Sequence, residues 1–134
     1  MGGLELGALG LAEREGGGEA RCAGLHDPAE VEAVHEAVSA ATGPARHRQA
    51  DSRFHLTIAA VTGSPRVIEA VTAVQSTLHE MLSAIPVLDA NIAHSDIQHA
   101  RIVQAILAGR AERARQVMEE HCDDTAALLR GLLG

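Results

Sequence analysis

Glycine and proline cut this sequence into stretches whose apolar residues recur every three or four positions, and no stretch alternates with a period of two over a useful length. That spacing belongs to helices with one buried face. Asp27 is a good N-cap and Pro28 suits the first helical position, so a helix is predicted from there to about Ala41. Val31, Val34 and Val38 form its stripe. Gly43-Pro44 ends it and opens a second helix, about Ala45 to Thr62, with Ala50, Phe54, Ile58 and Val61 in register. Gly63-Ser64-Pro65 repeats the stop-and-cap signal before a third helix, about Pro65 to Ala84. Pro86 breaks the chain, and Val87 to Asp96 reads as a loop. A further helix is predicted over Ser95 to Ala108 with Ile102, Val103 and Ile106, and a last one over Arg110 to Leu132 with Ala114, Met118 and Cys122. In residues 1–26, Leu4, Leu6, Leu9 and Leu11 fit a partial first helix that Gly16, Gly17 and Gly18 turn into a loop. The expected fold is all-α, an antiparallel bundle of about six helices with the main body over 27–134.

Composition narrows the functions open to such a bundle. Of 134 residues 46% are apolar, enough for one core, yet Phe54 is the sole aromatic residue. The 18 acidic side chains outnumber 11 Lys plus Arg, for a net charge of −7. Duplex binding needs a basic face, and single-strand binding needs aromatic platforms, so this chain is not expected to bind nucleic acid by itself. Cys22 and Cys122 are too few for a disulfide framework and read as reduced packing residues. No apolar run is long enough to span a bilayer and no secretory signal is legible, so a cytoplasmic protein without membrane attachment is expected.

Eight histidines raise the question of which face inward. Asp51 and His55 are four apart on one helix face, which continues into Ile58 and Ala59. His99 lies in the stripe of Ile102 and Val103, and His121 falls between Met118 and Thr125. With a turn near Arg110, His99 and His121 stand eleven residues to either side of it. At about 1.5 Å per residue in an antiparallel hairpin, they come out level. Buried imidazoles and a buried carboxylate must be satisfied, either by hydrogen bonds to one another or by a divalent metal. Zinc is the first expectation, and Ni, Mn and Fe accept the same donors. In a five- or six-coordinate site, one or two positions stay open for a carboxylate or water. Arg48, one turn before Asp51, is either a surface charge or a contact for an anionic effector. His26, His35, His47 and His94 read as solvated, and His79-Glu80 lacks the partner histidine of a zincin helix.

The stretch Asp51-Ser52-Arg53-Phe54-His55 resembles the "D-x-x-F-H" signature of the FCD domain, the C-terminal effector-binding domain of FadR-type regulators in the GntR family. The stretch HARIVQAILAGRAERARQVMEEH, from His99 to His121, is similar to the closing motif of that family, a histidine at each end of a helical hairpin with "A-I-x-x-G" before its turn. Ser64 stands where the family often has Asn, and Arg110 where it often has Asp. The resemblance implies a bundle of six or seven helices that commonly mediates dimerisation. It implies a metal held by Asp51, His55, His99 and His121, and a small organic acid bound at or near it that alters DNA affinity in a linked winged-helix domain. Such a domain has no room ahead of this bundle, so DNA contact is expected only through a module outside this chain. Two other functions stay open: a small metal-dependent hydrolase or lyase acting through a metal-activated water, and a structural module without a ligand. The first wants a general base near the metal, and Glu119, Glu120, Asp123 and Asp124 are expected mostly on the outer face. A non-enzymatic sensor is the reading the sequence favours.

Overall fold

Short breaks in the chain set the topology. In the computed structural model, which describes residues 28–61, 63–84 and 89–133, five helices follow one another. They are α1 (Pro28–Ala40), α2 (Pro44–Val61), α3 (Pro65–Ser83), α4 (Asp89–Leu107) and α5 (Ala111–Leu133). There is no strand among the described residues. The partial helix and glycine-rich loop expected over 1–26, and Cys22 and His26 with them, lie outside those residues.

Each short turn is made by the residues that announced it. Gly109 takes φ 69, a left-handed conformation that costs any other L-residue. The turn satisfies the carbonyls at the end of α4: Arg110 N–H donates to the Ala105 carbonyl at 2.9 Å, and Gly109 N–H to that of Ile106 at 3.1 Å. Ser64 accepts from the Val67 N–H at 3.4 Å, with Pro65 in the first turn of α3. Ser64 therefore performs the capping that Asn would.

Consecutive helices pair as hairpins, α1 with α2, α2 with α3 and α4 with α5, and α1 also lies against α4. The core gathers Val31, Val38, Phe54, Ile58, Ile102, Ala114, Val117 and Met118 from α1, α2, α4 and α5. Val34 and Ala50 pack against its edge.

One expectation is corrected. The loop read over Val87 to Asp96 is helical from Asp89, so α4 starts about six residues before the predicted Ser95. Asp89 places an acid in the first turn, where the helix dipole favours it. The stretch 89–96 offers only Ile92 and three alanine or asparagine neighbours before His94, too thin a stripe for periodicity to register. The extra turns put Asn91, His94 and Ser95 on a helix that faces a cleft.

Candidate metal centre

The four residues singled out by spacing meet at one point. Asp51 and His55 come from adjacent turns of α2, His99 from α4, and His121 from α5. The Gly109-Arg110 turn lies midway between His99 and His121 in the α4–α5 hairpin, which levels them at Nε2–Nε2 3.2 Å. His121 Nε2 lies 3.4 Å from His55 Nε2. Asp51 Oδ1 closes the ring, 3.5 Å from His55 Nε2 and 3.2 Å from His99 Nε2. The three imidazoles are buried, His99 completely. The Asp51 side chain keeps 23% exposure.

Packing holds these rings. Phe54 is fully buried, and its ring lies 4.4 Å from the His99 ring and 5.4 Å, edge-on, from that of His55. The His55 and His121 rings stack at 5.3 Å. The sole aromatic residue of the chain thus forms the wall behind two of the imidazoles.

The donors suit a divalent cation. Bonds of about 2.0–2.1 Å put neighbouring donors ~2.9–3.4 Å apart in octahedral or tetrahedral coordination, and the ring edges fall at or just beyond that range. Burial alone would raise the pKa of Asp51. The neighbouring His55 and His99 outweigh it and hold the carboxyl well below its usual range, so it stays ionised and acceptor-only. Three nitrogens from imidazole and one anionic oxygen are ordinary ligands for Zn, Ni, Mn or Fe. His55, His99 and His121 form a group able to hold a metal ion by the proximity of their ring nitrogens.

Beside the cluster opens a cleft of about 140 Å³, reached by Asp51, His55 and His121. An engineered cavity of roughly 150 Å³ takes benzene, so a small organic molecule fits. Leu78, Leu82, Ile92 and Leu128 give it apolar walls. Arg48 lines the same cleft, half-buried, and its Nε is buried without a hydrogen-bond partner. Arg48 is therefore a cleft-lining residue and not a fully exposed surface charge.

Other polar residues escaped the sequence reading. His121 Nδ1 is 2.8 Å from Gln98 Oε1, and Gln98 Nε2 donates to Asp124 at 2.7 Å. His94, expected to be solvated, is exposed yet lies 3.0 Å from the same Asp124 oxygen. These bonds hold the Asp124 carboxyl below its usual range, His94 first and Gln98 second. His47, also expected to be solvated, is largely buried, with Nε2 3.8 Å from Asp96 Oδ1. The same Asp96 oxygen is 3.7 Å from His99 Nδ1. A signal for some of this existed: His94 and Gln98 share a face at four-residue spacing, as His121 and Asp124 do at three. His35 is half-buried, 6.4 Å from the Phe54 ring.

The comparisons with known proteins agree with this architecture at the level of the family. No curated protein and no solved structure matches the chain significantly. The family model for the FCD domain matches residues 4–124, which takes in all five helices up to the fourth turn of α5 and all four converging side chains. With that match over most of its length, the chain belongs to the FCD domain family.

Proposed function

We propose that this chain is the effector-binding domain of a GntR-type transcriptional regulator, in which Asp51, His55, His99 and His121 hold a divalent metal and a small carboxylate binds beside it. One observation carries the reading. Three buried imidazole nitrogens and one ionised carboxylate, from three helices, converge at 3.2–3.5 Å on the wall of a ligand-sized cleft. Neither half alone would carry it. A bound metal would supply a fixed positive charge for an anionic effector.

This chain's own residues do the rest. Arg48 lines the cleft as a cation and its Nε is buried without a hydrogen-bond partner, which suits an anionic ligand, while Leu78, Leu82 and Leu128 favour a compact organic skeleton over a bare inorganic ion. Zinc is the first choice for the metal, since two or three histidines with a carboxylate are among its usual protein ligands. A sensor of this kind acts by linkage: the effector binds one arrangement of the bundle better and shifts its population. The output passes to DNA through a linked winged-helix domain, in a homodimer and in the cytoplasm. A hydrolase or lyase fits the geometry less well. The acids nearest the imidazoles, Asp96 and Asp124, contact His99 Nδ1 and the Gln98 amide, and neither contacts an Nε2 of the three converging imidazoles.

The test is thermal stabilisation by a panel of small mono-, di- and hydroxycarboxylates, run on metal-loaded and chelator-stripped protein. A ligand at a hundredfold excess over its Kd stabilises by about 2.7 kcal/mol, or about 9 °C in Tm for a chain of this length. Stabilisation by one class of acid that requires metal is the expected result. No stabilisation by any of them in the metal-loaded protein would count against a carboxylate effector.

A further inference from the structure

A histidine presents a lone pair to a metal only if its proton sits on the other nitrogen, and that choice is made by what the other nitrogen touches. For His121 the surroundings decide it. Gln98 is buried, with 3% exposure, and its amide spans from His121 Nδ1, at 2.8 Å, to Asp124 Oδ2, at 2.7 Å. An ionised carboxylate only accepts hydrogen bonds, so the end of the amide facing Asp124 is its NH₂. The end facing His121 is then the carbonyl, which also only accepts. The proton therefore sits on His121 Nδ1. Its Nε2 keeps a lone pair, directed to the point where His99 Nε2 and His55 Nε2 lie at 3.2 and 3.4 Å. His94, 3.0 Å from the same Asp124 oxygen, is a second group on the carboxylate.

We infer that Gln98 is a positioning residue that holds His121 as its Nδ1–H tautomer with the lone pair turned to the four-donor cluster, and that Asp124 fixes which way the Gln98 amide points. Without an acceptor at Nδ1, neutral imidazole favours the Nε2–H form in water. That form places a proton where a ligand lone pair is needed. The consequence for metal affinity rests on the proposed metal site. The tautomer itself is a property of the chain and can be read with or without metal.

The experiment uses ¹⁵N-labelled full chain, metal-free and near pH 8. Long-range ¹H–¹⁵N correlations assign the tautomer of His121, and chelator competition measures Zn affinity in parallel. In the parent, His121 is expected as the Nδ1–H form. Gln98→Leu should lose that form and bind Zn roughly 10- to 100-fold more weakly, the range that loss of such outer contacts commonly produces. The double variant Gln98→Glu with Asp124→Asn reverses the polarity of the pair while keeping an acceptor at Nδ1. It should recover the tautomer and bring Zn affinity back to within a few-fold of the parent, which restored packing alone would not explain. Helical circular dichroism checks that each variant is folded. An Nε2–H His121 in the parent, or an unchanged tautomer in a folded Gln98→Leu, overturns the inference. A parent that shows the Nδ1–H form but takes up no Zn leaves the positioning role supported and counts against the metal site instead.

Discussion

Truncating Phe54 removes the one aromatic ring from the interior, and the structure sets the size of the effect. The side chain is fully buried among Val38, Ile58, Ile102 and their neighbours, and its ring lies 4.4 Å from that of His99. A buried Phe→Ala change costs about 3–5 kcal/mol through lost transfer energy and the cavity left behind. A domain of this kind has only about 5–15 kcal/mol in total. With about 2.1 cal/mol/K per residue over 134 residues, each kcal/mol corresponds to roughly 3.5 °C. Phe54→Ala is thus expected to lower the Tm of the metal-free protein by ~10–18 °C, followed by circular dichroism at a helical wavelength. Phe54→Leu keeps an apolar side chain and should cost only about 1–2 kcal/mol, or ~4–7 °C. It still removes the wall behind His99 and His55, so its metal affinity should fall more than its stability does. A Phe54→Ala protein melting within about 3 °C of the parent would refute the reasoning, because the site would then be neither close-packed nor dependent on this ring.

Metal retention should depend on pH through the imidazoles. The folded-state pKa of Asp51 is depressed, so its contribution is present above about pH 4 and is lost only as pH falls through that lower value. These donors hold a cation only when deprotonated, so bound metal should be released on acidification, seen by dialysis and elemental analysis. A metal content that stays unchanged even below about pH 4 would contradict a site built from these donors. Arg48→Gln should leave metal content unchanged while weakening a stabilising carboxylate about tenfold or more, measured by calorimetry. Gly109→Ala forces an alanine to adopt φ 69 and should cost about 1–2 kcal/mol, a fall of ~4–7 °C in Tm.

How much of this was legible in the sequence depends on what converts spacing into position. Helix geometry does so directly. Asp51 and His55 at four-residue spacing share a face, and the Gly109-Arg110 turn, centred between His99 and His121, sets those two level. Glycine and proline marked four of the five described helices to within a residue or two at their starts, because turn chemistry is local. The start of α4 was missed, since Asp89 to Asp96 carries little apolar stripe and its place is set by contacts with α5 and by the cleft. His47 departs from its expected solvation for a related reason. Whether a polar residue on a helix flank is solvated or lines a cleft depends on how the neighbouring helices cross it, which no single stripe records. Gln98 could not be singled out either, because its role requires Asp124 and His121 from another helix to arrive on its two ends.

The central claim is that Asp51, His55, His99 and His121 together hold a metal. The most direct measurement is elemental analysis by mass spectrometry of protein purified without chelator or a nickel column, beside a His55→Ala, His121→Ala double variant. Concentration is taken from peptide-bond absorbance, since the chain has neither Trp nor Tyr. About one divalent metal per chain in the parent and little in a folded variant is the predicted result. A folded parent that carries no metal and takes up none from added Zn, Ni or Mn would contradict the claim and leave the three histidines as a hydrogen-bonded core.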